Sequence, residues 1–342
     1  MLALSKKAVI DLSKKGSRLF RKGNYQEAKD VYLQAYELDE TNPYVLSGLG
    51  DVFRKLCLFK DSAKYYDAVL AQDEKNVFAL RGAGDARRGM MMPDEAIEFW
   101  LRYLLINPKD SHVMVRIADA LHKMGREKEA VKYYEDSLEI KPKDNFALLG
   151  LGNVYYAQHD DERALLCFET VLESNHHNVV VMTMVGNIYR RRKEFDRALD
   201  KYAEALEIDG ENNFALFGMG DCYRGQGDMD KAVEWWDKIL EREPENQALW
   251  TRVGDALGRL GRYKEAEQHY NASLVTGYDV YAVLGLARIN HQQGALEVAI
   301  KYCEDALSKD EHNPRVLEEI SKIHEDAGNS EEAKAYRDRI SE

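Results

Sequence analysis

FALRGAGD occupies residues 78–85, FALLGLGN residues 146–153 and FALFGMGD residues 214–221, each copy 68 residues after the one before. Working outward from these three copies exposes a shorter period. Small residues recur every 34 positions, at Gly16, Gly50, Gly84, Ala118, Gly152, Gly186, Gly220 and Gly254. A second small series follows each of them by 12 residues: Ala28, Ser62, Ala96, Ala130, Ala164, Ala198, Ala232 and Ala266. The turn near Gly277 is one residue short, after which Ala287/Ala299 and Ser321/Ala333 resume the pattern. The unit is therefore 34 residues, and the opening motif marks every second unit.

Each unit reads as two helices. In the first, apolar residues fall at i, i+3, i+4 and i+7, as in Leu148, Leu151, Gly152 and Tyr155. In the second, an aromatic follows the small residue by four, as in Ala130–Tyr134, Ala198–Tyr202 and Ala232–Trp236. Gly23, Gly125, Gly227, Gly261 and Gly294 mark the turn between them, and only six prolines interrupt the chain. Small residues let two helix backbones approach while the aromatic fills the space beside them. One such pair cannot bury its apolar faces alone, so neighbours must stack.

These units resemble tetratricopeptide repeats. That family places an aromatic or Leu at position 4, Leu and Gly/Ala at 7–8, Tyr at 11, Ala at 20, an aromatic at 24, Ala at 27 and Pro at 32. The unit from Asn213 matches with Leu216, Met219, Gly220, Tyr223, Ala232, Trp236 and Pro244. Arg87 and Asn290 depart from it at position 11, and the late proline survives only as Pro108, Pro142 and Pro244. The resemblance covers residues 9–342 and implies an all-α, right-handed superhelical solenoid of about ten helix-turn-helix units. The expected units are 9–42, 43–76, 77–110, 111–144, 145–178, 179–212, 213–246, 247–279, 280–313 and a shorter capping unit, 314–342, with residues 1–8 as an extension. Lys15 stands where other units are apolar and the last helix, SEEAKAYRDRISE, is largely polar, as exposed ends require.

The resemblance also implies that the first helices line a concave groove, mainly through positions 2, 5, 6, 9, 12 and 13. Position 2 is aromatic and position 6 is glycine in five units: Tyr44/Gly48, Phe78/Gly82, Phe146/Gly150, Phe214/Gly218 and Tyr281/Gly285. Arg116, Met184 and Arg252 hold position 6 in intervening units. A glycine inside a helix costs about 1 kcal/mol against alanine, so five of them need a reason. They either open a notch beside each aromatic for a ligand side chain, or serve helix packing or record a duplicated two-unit block.

Position 9 carries Asp51, Asp85, Asp119, Asn153, Asn187, Asp221 and Asp255. The spacing predicts i,i+3 pairs Asp51–Arg54, Asp85–Arg88 and Asp221–Arg224, and i,i+4 pairs Asp119–Lys123 and Asp255–Arg259. In the middle the acids become amides, which both donate and accept hydrogen bonds to an extended backbone. The expected binding residues are accordingly Phe146, Asn153, Tyr156, Asn187, Arg190, Arg191, Phe214, Asp221 and Arg224. The family's clamp for a terminal carboxylate needs Lys at 5 with Asn at 9; Leu149/Asn153 and Thr183/Asn187 do not supply it.

The totals narrow the class further. With 45% hydrophobic and 32% charged residues the chain is of the folded, globular kind, and a net charge of -12 opposes broad nucleic-acid binding. Cys57, Cys167, Cys222 and Cys303 show no paired spacing and read as reduced, mostly buried thiols. No apolar run reaches the roughly 18 residues of a membrane span. The start has too short an apolar stretch for a signal peptide, so a cytoplasmic location is expected, or a periplasmic one were the chain a processed form. Met90–Met92 read as apolar filler, while His159, Cys167, His176 and His177 match no zinc spacing; no metal or other cofactor is expected. Trp100, Trp236 and Trp250 fall at core positions, and RRRK at 190–193 ends a helix.

The chain contains no phosphate-binding glycine loop, nucleophile elbow or HExxH, so no enzymatic activity is expected. The resemblance implies a scaffold or adaptor that binds a partner protein or extended peptide in the groove. The alternative is a self-associating component. Residues 1–22 hold seven basic side chains against Asp11 (net +6), and residues 309–342 hold six basic against ten acidic (net -4), which suits head-to-tail association. Small-molecule binding in the notches beside Phe78, Phe146 and Phe214 is a third class.

Overall fold

A computed structural model describes residues 2–340, and among them it is built of helices without strands. The packing gathers them into two compact units that divide after Ser174. The first unit contains α1 (Leu2–Arg21), α2 (Tyr25–Leu38), α3 (Pro43–Lys55), α4 (Phe59–Gln72), α5 (Val77–Gly89), α6 (Pro93–Ile106), α7 (Ser111–Lys123), α8 (Glu127–Ile140), α9 (Asn145–Ala157) and α10 (Asp161–Ser174). The second contains α11 (Val179–Arg191), α12 (Phe195–Ile208), α13 (Asn213–Gln226), α14 (Met229–Leu240), α15 (Gln247–Arg259), α16 (Tyr263–Thr276), α17 (Val280–Gln292), α18 (Leu296–Leu307), α19 (Pro314–Asp326) and α20 (Ser330–Asp338). Each unit is thus a stack of helix pairs, a helical-repeat solenoid. Residues 2–8, set apart in the sequence as an extension, are helical and run on into the rest of α1.

The helix boundaries follow from residues that recur with the repeat. Asn42, Asp110, Asp144 and Asn212 each cap a first helix, their side-chain oxygens accepting hydrogen bonds from amides two or three residues on. Each such cap stabilises by about 1 kcal/mol. Between the two helices of a pair one residue turns into the left-handed region. It is glycine at Gly23, Gly125, Gly227 and Gly261, but Cys57, Met91, His159 and Lys193 occupy the same place with φ near +60°. A side chain there costs conformational energy that glycine avoids.

Two rows of small residues explain the core. The first row lies under its own unit's aromatic: Gly50 under Tyr66, Gly84 under Trp100, Gly152 under Phe168, Gly220 under Trp236. The second row is the position-6 series. Gly48, Gly82 and Gly150 receive the rings of Tyr32, Tyr66 and Tyr134, and Gly218 and Gly285 receive those of Tyr202 and Tyr270. A Cβ at any of these would come within 2.2–2.8 Å of a ring atom, too close for contact without a shift. Of the two readings of the position-6 glycines, packing is the one observed: the space beside Phe78, Phe146 and Phe214 is filled by a tyrosine of the preceding pair.

That tyrosine also explains the 68-residue spacing. Tyr66, Tyr134, Tyr202 and Tyr270 each donate a hydroxyl hydrogen bond to the position-9 residue of their own pair, Asp51, Asp119, Asn187 and Asp255. In the alternate pairs Trp100, Phe168 and Trp236 stand in its place, and no hydroxyl exists to reach position 9. Successive first helices α3 and α5, α7 and α9, α11 and α13, and α15 and α17 touch directly. Between α5 and α7, and between α13 and α15, backbone contact is marginal at most.

Trp100 and Trp236 are fully buried as expected, but Trp250 is only partly buried, packed against the edge of the core. Its ring is half-buried, donates to the Pro244 carbonyl at 2.8 Å and lies 5.1 Å from His269. It stands early in α15, where the ring has room to turn back over the preceding loop.

Candidate interaction surface on the first helices

The aromatics at position 2 sit one residue inside the first helices and project away from the core. Tyr44, Phe78 and Phe146 are exposed in the first unit, Phe214 and Tyr281 in the second, with Phe146 at 73%. Single exposed apolar side chains are ordinary. Five large aromatics at one register position are a different observation. The amide of Phe146 is capped by Asp144 and that of Tyr281 by Asp279, so the backbone under these rings is held.

Two turns further along, two acidic residues are almost sealed. Asp85 and Asp221 are each only 7% exposed. Around Asp85 stand three guanidinium groups from three helices: Arg116 of α7 at 2.8 Å, Arg54 of α3 at 3.7 Å and Arg88 of α5 itself at 4.0 Å. Asp221 repeats the arrangement with Arg252 of α15 at 2.8 Å, Arg224 of α13 at 3.2 Å and Arg190 of α11. Every member of the second set lies 136 residues after its counterpart. The guanidinium of Arg252 lies 4.7 Å over the Phe217 ring, and that of Arg88 lies 5.7 Å over Trp100. Where tryptophan replaces tyrosine, arginine takes over the carboxylate.

The midpoint of that 136-residue step is different. His122, Asn153 and Tyr156 stand where the first set has Arg54, Asp85 and Arg88, and Met184 where it has Arg116. All four charges are absent together. Nδ1 of His122 and Oδ1 of Asn153 are buried without a hydrogen-bond partner.

The residues expected to bind fall in both units. Phe146 is exposed, and Asn153 and Tyr156 are half-buried in α9. Asn187 already accepts hydrogen bonds from Tyr202 and Arg190, so its carbonyl is engaged within the fold. Arg190 and Arg224 converge on Asp221, Arg191 is exposed at the end of α11, and Phe214 is exposed at the start of α13. The i,i+3 pairs of Asp51, Asp85 and Asp221 are formed, whereas Asp119 and Asp255 take tyrosine hydroxyls. Arg116 and Arg252 were visible in the sequence only as occupants of position 6. Their recurrence 31 residues after an aspartate that itself follows an arginine by 31 was the signal for them.

In the second unit a cleft of about 460 Å³ opens beside this set, lined by Arg224, Arg252, Arg259, Thr251, Asp255 and Tyr281 among others. The tyrosines behind the surface are locked as donors: burial first, then the nearby carboxylate, pushes the Tyr66, Tyr134 and Tyr270 hydroxyls well above the ordinary phenol range. Burial likewise raises the Cys167 thiol to about 11 and the Cys222 thiol to about 12, which leaves both protonated and poorly nucleophilic. All four cysteines are free, Cys57 exposed and the others buried. Among the described residues no group of three or more His, Cys, Asp or Glu side chains could hold a metal ion, and no helix is long and apolar enough to cross a membrane.

Family models described as tetratricopeptide repeat match residues 111–144, 149–213, 189–251 and 251–314, and one described as TPR repeat matches residues 16–56. The chain is a tetratricopeptide repeat protein. Its class is that of protein–protein interaction scaffolds. No curated protein matches this tetratricopeptide repeat chain in sequence. Among solved structures, the C-terminal part of a TPR repeat-containing protein from Cytophaga hutchinsonii is similar, with a TM-score of 0.62 and 14% identity over 69% of this chain and 98% of that one. A tetratricopeptide repeat protein from Parabacteroides merdae gives 0.53 and 14% over 73% and 99%, and Pseudomonas aeruginosa pilF gives 0.52 and 18% over 60% and 93%. At these identities the likeness is one of fold.

Proposed function

We propose that this protein is a non-enzymatic scaffold that holds a partner protein, through an extended segment, along the groove face of its first helices. The observation that carries this reading is the row of exposed aromatics at position 2, Tyr44, Phe78 and Phe146 in one unit and Phe214 and Tyr281 in the other. Phe78, Phe146 and Phe214 stay exposed although capped helix ends hold the backbone beneath them, while Tyr44 borders the cleft at α1 and Tyr281 carries the Arg315 guanidinium over its ring. Rigid aromatic anchors of this kind supply contact area at low entropic cost. Asn153 and Tyr156 on α9 and Arg224 on α13 add polar groups on the helices of Phe146 and Phe214, Arg190 and Arg191 add theirs from α11, and Asn187 and the sealed Asp221 act from behind by holding Arg190 and Arg224. Affinity would be spread over many small contacts.

With four unpaired cysteines, three of them buried, we place the protein in a reducing, cytoplasmic compartment. The second reading is self-association through the ends. It is supported by a cleft of about 620 Å³ at α1, where Val9 and Ile10 adjoin Lys14, Arg18 and Arg21.

The test is capture of an interacting protein by wild type and by Phe78→Ala/Phe146→Ala/Phe214→Ala. These rings are exposed, so their loss should leave the fold intact. A partner retained by wild type and lost by the variant supports the groove reading. Equal capture by both defeats it, and a mass above the monomer in light scattering that falls with salt would favour self-association.

A further inference from the structure

Deepening the groove reading, on which it rests, we infer that the arginine sets around Asp85 and Asp221 are two equivalent receptors for the carboxylate side chains of an acidic stretch in the partner. The Asp221 set places three guanidiniums against one carboxylate, a surplus of two positive charges, and the Asp85 set keeps a surplus of one because Arg54 also pairs with Asp51 at 3.0 Å, on a protein whose net charge is -12. The carboxylate is sealed, while the arginine side chains are 27–49% exposed around Asp85 and 28–43% exposed around Asp221. The aspartate therefore holds the arginines from behind and leaves donor N–H groups facing solvent. An arginine has five such donors, and two carboxylate oxygens cannot satisfy three forks. In both sets the first arginine also keeps a buried Nε without an acceptor, on Arg54 and on Arg190.

The backbone provides the room. The first helices beside each set, α5 and α7 in one unit and α13 and α15 in the other, are those that do not press together. Beside Asp221 the cleft brings in Arg259 together with Asp255 and Asp279, so the cations that face a glutamate without a competing carboxylate of the cleft are those of the Asp221 set itself, and the Tyr281 ring, with Arg315 over it, closes one side. Guanidinium forks suit carboxylates geometrically, and charge-assisted hydrogen bonds of this kind are the strong ones. A phosphodiester backbone is the less suitable occupant, since it needs a continuous basic strip rather than isolated clusters on an acidic protein.

The experiment measures fluorescence anisotropy of the full chain with a fluorescein-labelled peptide of alternating glutamate and serine, and with its glutamine counterpart. Wild type should bind the glutamate peptide in preference, with affinity falling as salt rises. Arg116→Gln/Arg252→Gln should weaken it by about tenfold or more, the scale of one charge-assisted hydrogen bond at each set. Arg88→Gln/Arg224→Gln removes the most exposed arginine around each aspartate and leaves two on the carboxylate, so it should weaken binding comparably even if the first variant folds poorly. Equal binding of both peptides, unchanged affinity in the folded variants, or tighter binding of a single-stranded oligonucleotide than of the glutamate peptide would overturn the inference. It fails separately from the groove reading. A partner lost by the phenylalanine variant but kept by both arginine variants would leave the groove standing and remove the arginine sets from it.

Discussion

The joint between α3 and α5 and the joint between α5 and α7 are adjacent and are closed by opposite means. At the first, the Tyr66 ring lies between Gly50 and Gly82, and its hydroxyl reaches Asp51. At the second, Trp100 lies over Gly84, no hydroxyl is available, and Arg116 stands where the next glycine would be and crosses to Asp85. The second unit repeats the contrast with Tyr202 and Trp236. The aromatic at this place thus goes with whether two helices touch or part, and with whether position 9 takes a tyrosine hydroxyl, as Asp51 and Asn187 do, or is a sealed aspartate met by three cations. The tyrosine joints are closed by a ring packed on glycine, and the tryptophan joints present charge to solvent.

The sharpest way to break the first kind of joint is Gly82→Ala or Gly218→Ala. The new methyl meets a tyrosine ring, and overpacking should cost about 2–3 kcal/mol despite the better helix propensity of alanine. Tyr66→Leu beside Gly82→Ala should recover part of the loss in a double-mutant cycle read by urea unfolding; strict additivity would show that ring and glycine are not coupled. At the tryptophan joint, Asp221→Ala leaves three guanidiniums facing each other. Because the arginines are partly solvated, a cost of about 1–3 kcal/mol is expected, smaller at high salt. Tyr66→Phe deletes only the hydroxyl bond to Asp51, and unfolding should register about 1 kcal/mol. The smallest effect lies outside the joints. Lys193→Gly should stabilise by about 0.5–1 kcal/mol, while Gly227→Ala at the corresponding turn should destabilise; a loss in the first would show that the lysine side chain compensates its left-handed backbone.

Helix pairs, their order and their turns were legible because they depend on local periodicity. A residue's place in a 34-residue frame says which face it occupies, and Asn42 or Asp144 announces a helix start without help from the rest of the fold. The aromatics Phe146 and Phe214 were found for the same reason. Asn187 shows where this stops: its amide suggested a free partner for a peptide backbone, yet it is occupied by Tyr202 and Arg190. Trp250 shows it again, in a core register but half-exposed.

By itself the sequence determined the repeat, the helix ends and the alternation of units, since these are encoded within a few turns of chain. Only the tertiary structure decided what the position-6 glycines are for and where Arg54, Arg116, Arg190 and Arg252 point. Those outcomes depend on a ring from about 16 residues before the glycine, or a guanidinium 31 residues from its aspartate, entering the same few cubic ångströms. Periodicity assigns a residue to a face, but packing between faces decides whether that face is filled, tied or left open.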